Sequence, residues 1–164
     1  MNFSKIFLIV VLLLTLTSNH IAQTKQKSAV GKPAGIFFAL SVADVDTLSK
    51  WYQDKLGFQV LTSGEAPNKI AKFAILQSDG AIIEMIQHRD AKPMSVAAPS
   101  VKGAHQIHGI FKIGMLVEDI DGLYRCLKEK QVAVAYELMP AKDVPLRSFS
   151  VRDGEGNLVQ FFGK

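Results

Sequence analysis

The chain repeats itself once, and the spacing of that repeat limits what it can fold into. Val42-Ala43-Asp44-Val45-Asp46-Thr47-Leu48 returns 75 residues later as Val117-Glu118-Asp119-Ile120-Asp121-Gly122-Leu123. Gly80-Ala81-Ile82-Ile83-Glu84 returns 76 residues on as Gly156-Asn157-Leu158-Val159-Gln160. Two separate blocks that keep nearly one spacing mark a duplicated unit, and self-similarity outranks any local reading. A unit this long, used twice, is not a solenoid turn. It reads as half of a domain, too small to bury its own core, so function is to be sought between the halves.

Both halves carry the same order of elements. Ile36, Phe38, Leu40 and Val42 alternate with Phe37, Ala39 and Ser41, the period of two that marks a strand. Asp44 suits an N-cap, Val45, Leu48, Tyr52 and Leu56 share one helical face, and Gly57 can end the helix. Three further strands are predicted over 58–62, 72–77 and 81–87, with a hairpin turn at Ser78-Asp79-Gly80. In the second half Phe111, Ile113, Met115 and Val117 alternate, Asp119 caps a helix, and strands are predicted over 132–138, 147–152 and 157–162. The fold class is therefore α+β, two βαβββ modules at 35–88 and 108–163 joined by a linker over 89–107 that holds Pro93 and Pro99.

Strand parity sorts the side chains. Ile83, Met85, Val159 and Phe161 should pack under the helices, while Ile82, Glu84, Ile86 and His88 share the other face with Leu158, Gln160 and Phe162. Phe37, Ala39 and Ser41, then His108, Ile110, Lys112 and Gly114, extend that second face. An apolar concave surface with few polar groups is what a small-molecule cleft needs. Trp51 and Tyr52 diverge by about 100 degrees on a helix and read as core rather than as an aromatic cage.

The N-terminus reads as an address. Lys5, the apolar run from Ile6 to Leu16 and the polar stretch to Ala22 have the layout of a secretory signal peptide, residues 1–22, followed by a mobile leader over 23–34. The run is short for a membrane span, so an exported protein, periplasmic or secreted, is expected, with an uncleaved anchor as the alternative. A net charge of +4 with scattered Lys residues does not point to nucleic acid. Cys126 is the only cysteine and reads as a buried structural thiol.

Leu40-Ser41-Val42-x-Asp44 followed by Trp51-Tyr52-x-x-x-Leu56-Gly57-Phe58 resembles the opening of vicinal-oxygen-chelate (VOC) proteins. That superfamily includes glyoxalase I, extradiol dioxygenases and the bleomycin and fosfomycin resistance proteins. Arg152-Asp153-Gly154-Glu155-Gly156-Asn157-Leu158 resembles its closing signature, and the likeness covers 35–163. It implies a cupped, mixed eight-stranded sheet (the glyoxalase/bleomycin resistance fold), a symmetric homodimer, and a divalent metal that chelates two substrate oxygens. The family draws its metal ligands from the opening and closing strands of each half. Those positions here are Phe37, Glu84, Lys112 and Gln160. Phe offers no donor and Lys brings positive charge, so no metal site and no cofactor are expected.

The expected function is metal-free binding of a small molecule, with Phe37, Glu84, Lys112, Gln160, Ile110 and Phe162 as ligand-binding residues. Glu84 is the candidate catalytic residue, as general base or ligand-orienting acceptor, or else the partner of Lys112 in a charge pair. A displaced metal site on Glu84, His88 and His108 is disfavoured, because four residues of strand separate Glu84 from His88 by roughly 13 Å. Two other readings stay open: a glyoxalase- or dioxygenase-type enzyme with Glu84 or unconventional ligands, and an interaction protein with a vestigial cleft.

Overall fold

The structure, a computed structural model, describes residues 34–142 and 144–164. The expected signal peptide, and the leader up to residue 33, lie outside the described residues. The predicted duplication is present strand by strand. Module one comprises β1 (Ile36–Ser41), α1 (Val45–Leu56), β2 (Gln59–Glu65), β3 (Ala71–Ser78) and β4 (Ala81–His88). Module two comprises β5 (Lys112–Leu116), α3 (Ile120–Glu129), β6 (Val134–Met139), β7 (Arg147–Arg152) and β8 (Leu158–Gly163). The linker is not plain loop. It forms a short helix, α2 (Met94–Ala97), and a 3₁₀ turn over Ala104–Gln106.

The eight strands are hydrogen-bonded as two sheets of four, ordered β1-β4-β3-β2 and β5-β8-β7-β6. In each, the opening and closing strands run parallel and the rest antiparallel. Register repeats as well as order: Phe37 lies beside Ile82 and Ala39 beside Glu84, as Lys112 lies beside Leu158 and Gly114 beside Gln160. The second opening strand is shorter than its sequence pattern, running only over Lys112–Leu116, with Gly109 at φ 144° three residues ahead of it.

Local chemistry sets the helix ends. Asp44 accepts from the Asp46 and Thr47 amides, and those bonds hold its carboxyl below the usual carboxylate range. Asp119 accepts from the Gly122 amide. Gly57, at φ 75°, closes α1 in the left-handed conformation that lacks a penalty only for glycine.

The parity assignment holds for the core. Ile83, Met85 and Val159 are fully buried and Phe161 nearly so. Two apolar clusters form, one per module, and Trp51, Leu56 and Met115 pack against both. Trp51 and Tyr52 meet edge-on at 5.1 Å between ring centroids, so their divergence rules out stacking but not contact.

Polar contacts across the module boundary fall into two groups. The Lys55 ammonium donates to the Lys130 carbonyl at 2.7 Å, and Lys130 donates back to the Asp54 and Lys55 carbonyls at 2.9 and 3.1 Å. Lys55 and Lys130 are repeat equivalents, so each helix end is capped by a cation from the other helix across a pseudo-twofold axis. The second group has no symmetric counterpart among the described residues. The β7–β8 turn reaches over α1: Tyr52 donates to Asp153 at 3.2 Å, and Glu155 accepts from the Ala43 and Asp44 amides at 2.8–3.0 Å.

Candidate functional site

The residues singled out from the sequence lie on or beside the predicted sheet face, but they do not form one closed pocket. Phe37 is 62% exposed on β1, and Ile110 is 89% exposed ahead of β5 rather than on it. Glu84 is half-buried on β4 between Ala39 and Ile75. Phe162 is half-buried and lines a small hollow of about 350 Å³ with Leu116, Val117, Glu118 and Leu146. Lys112 is exposed, with its ammonium 5.3 Å from the centre of the Phe111 ring. The expected Glu84–Lys112 charge pair is not formed. An ammonium at the mouth of an open face is stabilised by water and by an aromatic ring, so it has no need of a carboxylate.

Gln160 stands apart. It is buried between Gly114 and Ser150, and its Oε1 is the one buried side-chain polar atom without a hydrogen-bond partner among the described residues. A buried amide oxygen of that kind calls for a donor from water or ligand. It does not make a metal centre. Glu84 and Gln160 supply oxygen donors, but Phe37 has none and Lys112 is a cation, short of what zinc or a related ion requires. Among the described residues no three of His, Cys, Asp and Glu cluster closely enough to hold an ion, the Glu84–His88–His108 combination included. The family's metal does not fit this donor set.

The larger concavity, of about 830 Å³, opens where the C-terminal ends of β1 and β4 meet the start of β8. Ser41, Gln87 and His88 line it from module one, and Phe111, Tyr136, Arg152 and Leu158 from module two. The linker forms the remaining wall with Arg89, Lys92, Met94, Lys102 and His105. His88 is half-buried there, its Nδ1 accepting from the Asp90 amide at 3.1 Å. The size is right for a small organic ligand. The sequence pattern marks 89–107 only as a linker, and nothing in it brings His105 beside His88. The signal that could have found the cavity is the spacing of Arg89, Lys92 and Lys102, cations in a segment with little apolar cover of its own.

The two hollows are repeat equivalents. Ser41, Val42 and Ala43 in the larger correspond to Leu116, Val117 and Glu118 in the smaller, and Gln87 and His88 to Gly163 and Lys164. Each lies at the end of a parallel strand pair, where strand order places diverging loops. Only the first is walled by the linker.

A sequence profile of the Glyoxalase/Bleomycin resistance protein/Dioxygenase superfamily matches residues 35–161. No curated protein matches the chain. Among solved structures, SMU.1112c superimposes with a TM-score of 0.64 at 18% identity, over 77% of this chain and 95% of that one. TioX from Micromonospora sp. ML1 does so at 0.57 and 25% identity, over 79% and 97%. A glyoxalase family protein from Enterococcus faecalis does so at 0.62 and 18% identity, over 80% and 96%. These likenesses establish the fold.

Proposed function

The chain belongs to the glyoxalase/bleomycin resistance protein/dioxygenase superfamily, and we propose that it is an exported member that binds a small organic molecule between its modules without the superfamily's metal. The observation that carries this reading is the concavity of about 830 Å³ built jointly by both modules and the linker. Its walls set Met94, Phe111, Tyr136 and Leu158 among a larger number of polar and charged side chains, the makeup of a wet binding site rather than of a packed core. The absence of a metal in the proposal rests on Phe37 and Lys112, which replace donors with a ring and a cation. Export rests on the signal-like layout of residues 1–22.

The test is a fragment screen by NMR on purified protein, before and after dialysis against EDTA. Binding should shift the resonances of Phe111, Tyr136 and Leu158 equally in both samples. One tightly held divalent ion per chain, or loss of binding after chelation, would overturn the metal-free reading and move an enzyme using Glu84 to the front.

A symmetric homodimer is part of the proposal. It is supported by the apolar side chains left open on and beside the sheet face, Phe37, Leu116 and Ile110. A monomer by light scattering at micromolar concentration would refute it.

A further inference from the structure

Resting on the proposed cleft binding, the geometry points to a ligand of one class: a small aromatic organic anion, its acidic oxygens held by the linker and its ring by module two. The charge lining the cleft is one-sided. Arg89, Lys92, Lys102 and Arg152 line it, and among the described residues the only lining carboxylate is Glu155. That carboxylate is already engaged by the Ala43 and Asp44 amides. Arg152 spends one N–H on the Gly156 carbonyl, and Arg89 makes a long 3.4 Å contact with Asp90. The ammonium groups of Lys92 and Lys102 have no hydrogen bond or ion pair among the described residues, although both line the cleft. Cations converging on a concavity focus the field there and favour an anion over a neutral molecule of the same shape.

The apolar part of the lining selects the rest of the ligand. Phe111 and Tyr136, 40% and 57% exposed, stand there beside Leu158. A flat ring can lie against them while its acidic group faces the linker. The equivalent hollow in module two lacks this pattern. It presents Leu116, Val117, Leu146 and Phe162, with Glu118 and Lys164 offsetting one another in sign. The duplicated fold alone therefore does not generate a cationic cleft; the linker does.

The experiment compares 1-naphthoate with its neutral counterpart, 1-naphthamide, by fluorescence titration of wild-type protein and of a Lys92→Glu/Lys102→Glu double variant. Reading the ratio of the two affinities cancels any general loss in the variant. Wild type should bind naphthoate about tenfold more tightly than naphthamide, and the ratio should fall to about one or below in the variant. Added salt should weaken only the naphthoate complex. A wild-type ratio near one, or a ratio the double variant leaves unchanged, overturns the anion assignment while cleft binding stands. If neither probe binds, cleft binding itself has failed and the assignment falls with it.

Discussion

Module one and module two share elements, strand order and register, yet they differ in what happens at their ends. The β3–β4 turn simply reverses the chain between Gln77 and Ile82, which lie side by side. The β7–β8 turn bridges Arg152 and Leu158 with one residue more, and there the repeat offset changes from 75 to 76. The longer turn wraps around Asp153, whose carboxylate accepts from the Glu155 and Asn157 amides and the Asn157 side chain. It then ties down α1 through Tyr52 and Glu155. The reverse difference holds at the far ends of the opening strands. There module one is walled by the linker into a large cleft, and module two keeps a small apolar hollow. A duplicated unit keeps what its core needs and diverges where backbone hydrogen bonding leaves the chain free. The closing signature does both jobs: Asp153 and Glu155 clasp α1, while Arg152 and Leu158 line the larger cleft.

The largest difference between the two turns is expected at Asp153. It is buried and serves both the turn and Tyr52, so Asp153→Ala should cost about 3 kcal/mol in urea denaturation. Asp79→Ala, at the exposed acid of the module-one turn, should cost under about 0.5 kcal/mol. Equal losses would mean that the two turns do the same job.

Tyr52 gives the next effect. Burial, reinforced by the Asp153 charge beside it, pushes its hydroxyl well above the ordinary 10.0. The neutral form is the one the fold tolerates, so this stabilisation is complete below pH 10 and is lost as pH rises above it. The slope approaches about 1.4 kcal/mol per pH unit. Its repeat equivalent is Leu127, which does not titrate. Stability measured between pH 9 and 11 should therefore fall more steeply in wild type than in Tyr52→Phe, and parallel curves would exclude this role.

Glu155→Ala should cost about 1 kcal/mol, since it frees two amides at the start of α1 that water can partly satisfy. Thermal unfolding reads this loss. The smallest effect tests the symmetric contact. Lys55→Met and Lys130→Met should each cost about 0.5 kcal/mol, and by closely matched amounts. A double-mutant cycle that finds one of them silent would show that the pseudo-twofold axis is geometric only.

Most of the fold was legible because the signals are local and repeated. Asp44, Gly57 and Asp119 mark helix ends through hydrogen bonds within a few residues of themselves. The alternation around Ile83, Met85, Val159 and Phe161 fixes the buried face, since a slip of one residue would expose all four. The candidate site was less legible. Parity identified the face that holds Phe37, Glu84 and Gln160, but which of those residues would be open, half-buried or sealed is set by neighbouring strands. Gln160 is buried with Gly114 and Ser150 as its strand neighbours, a register fact invisible along its own strand.

By itself, then, the sequence determined the duplicated βαβββ plan, the helix ends and the core face. Each rests on periodicity or on the chemistry of a single side chain. Tertiary structure alone decided that the eight strands divide into two sheets, that Lys55 and Lys130 cap each other's helices, and that the linker walls a cationic cleft also lined by Phe111 and Tyr136. Those features join residues dozens of positions apart. No local propensity encodes such a meeting, because it exists only once both cores have packed and fixed where the connecting segment must run.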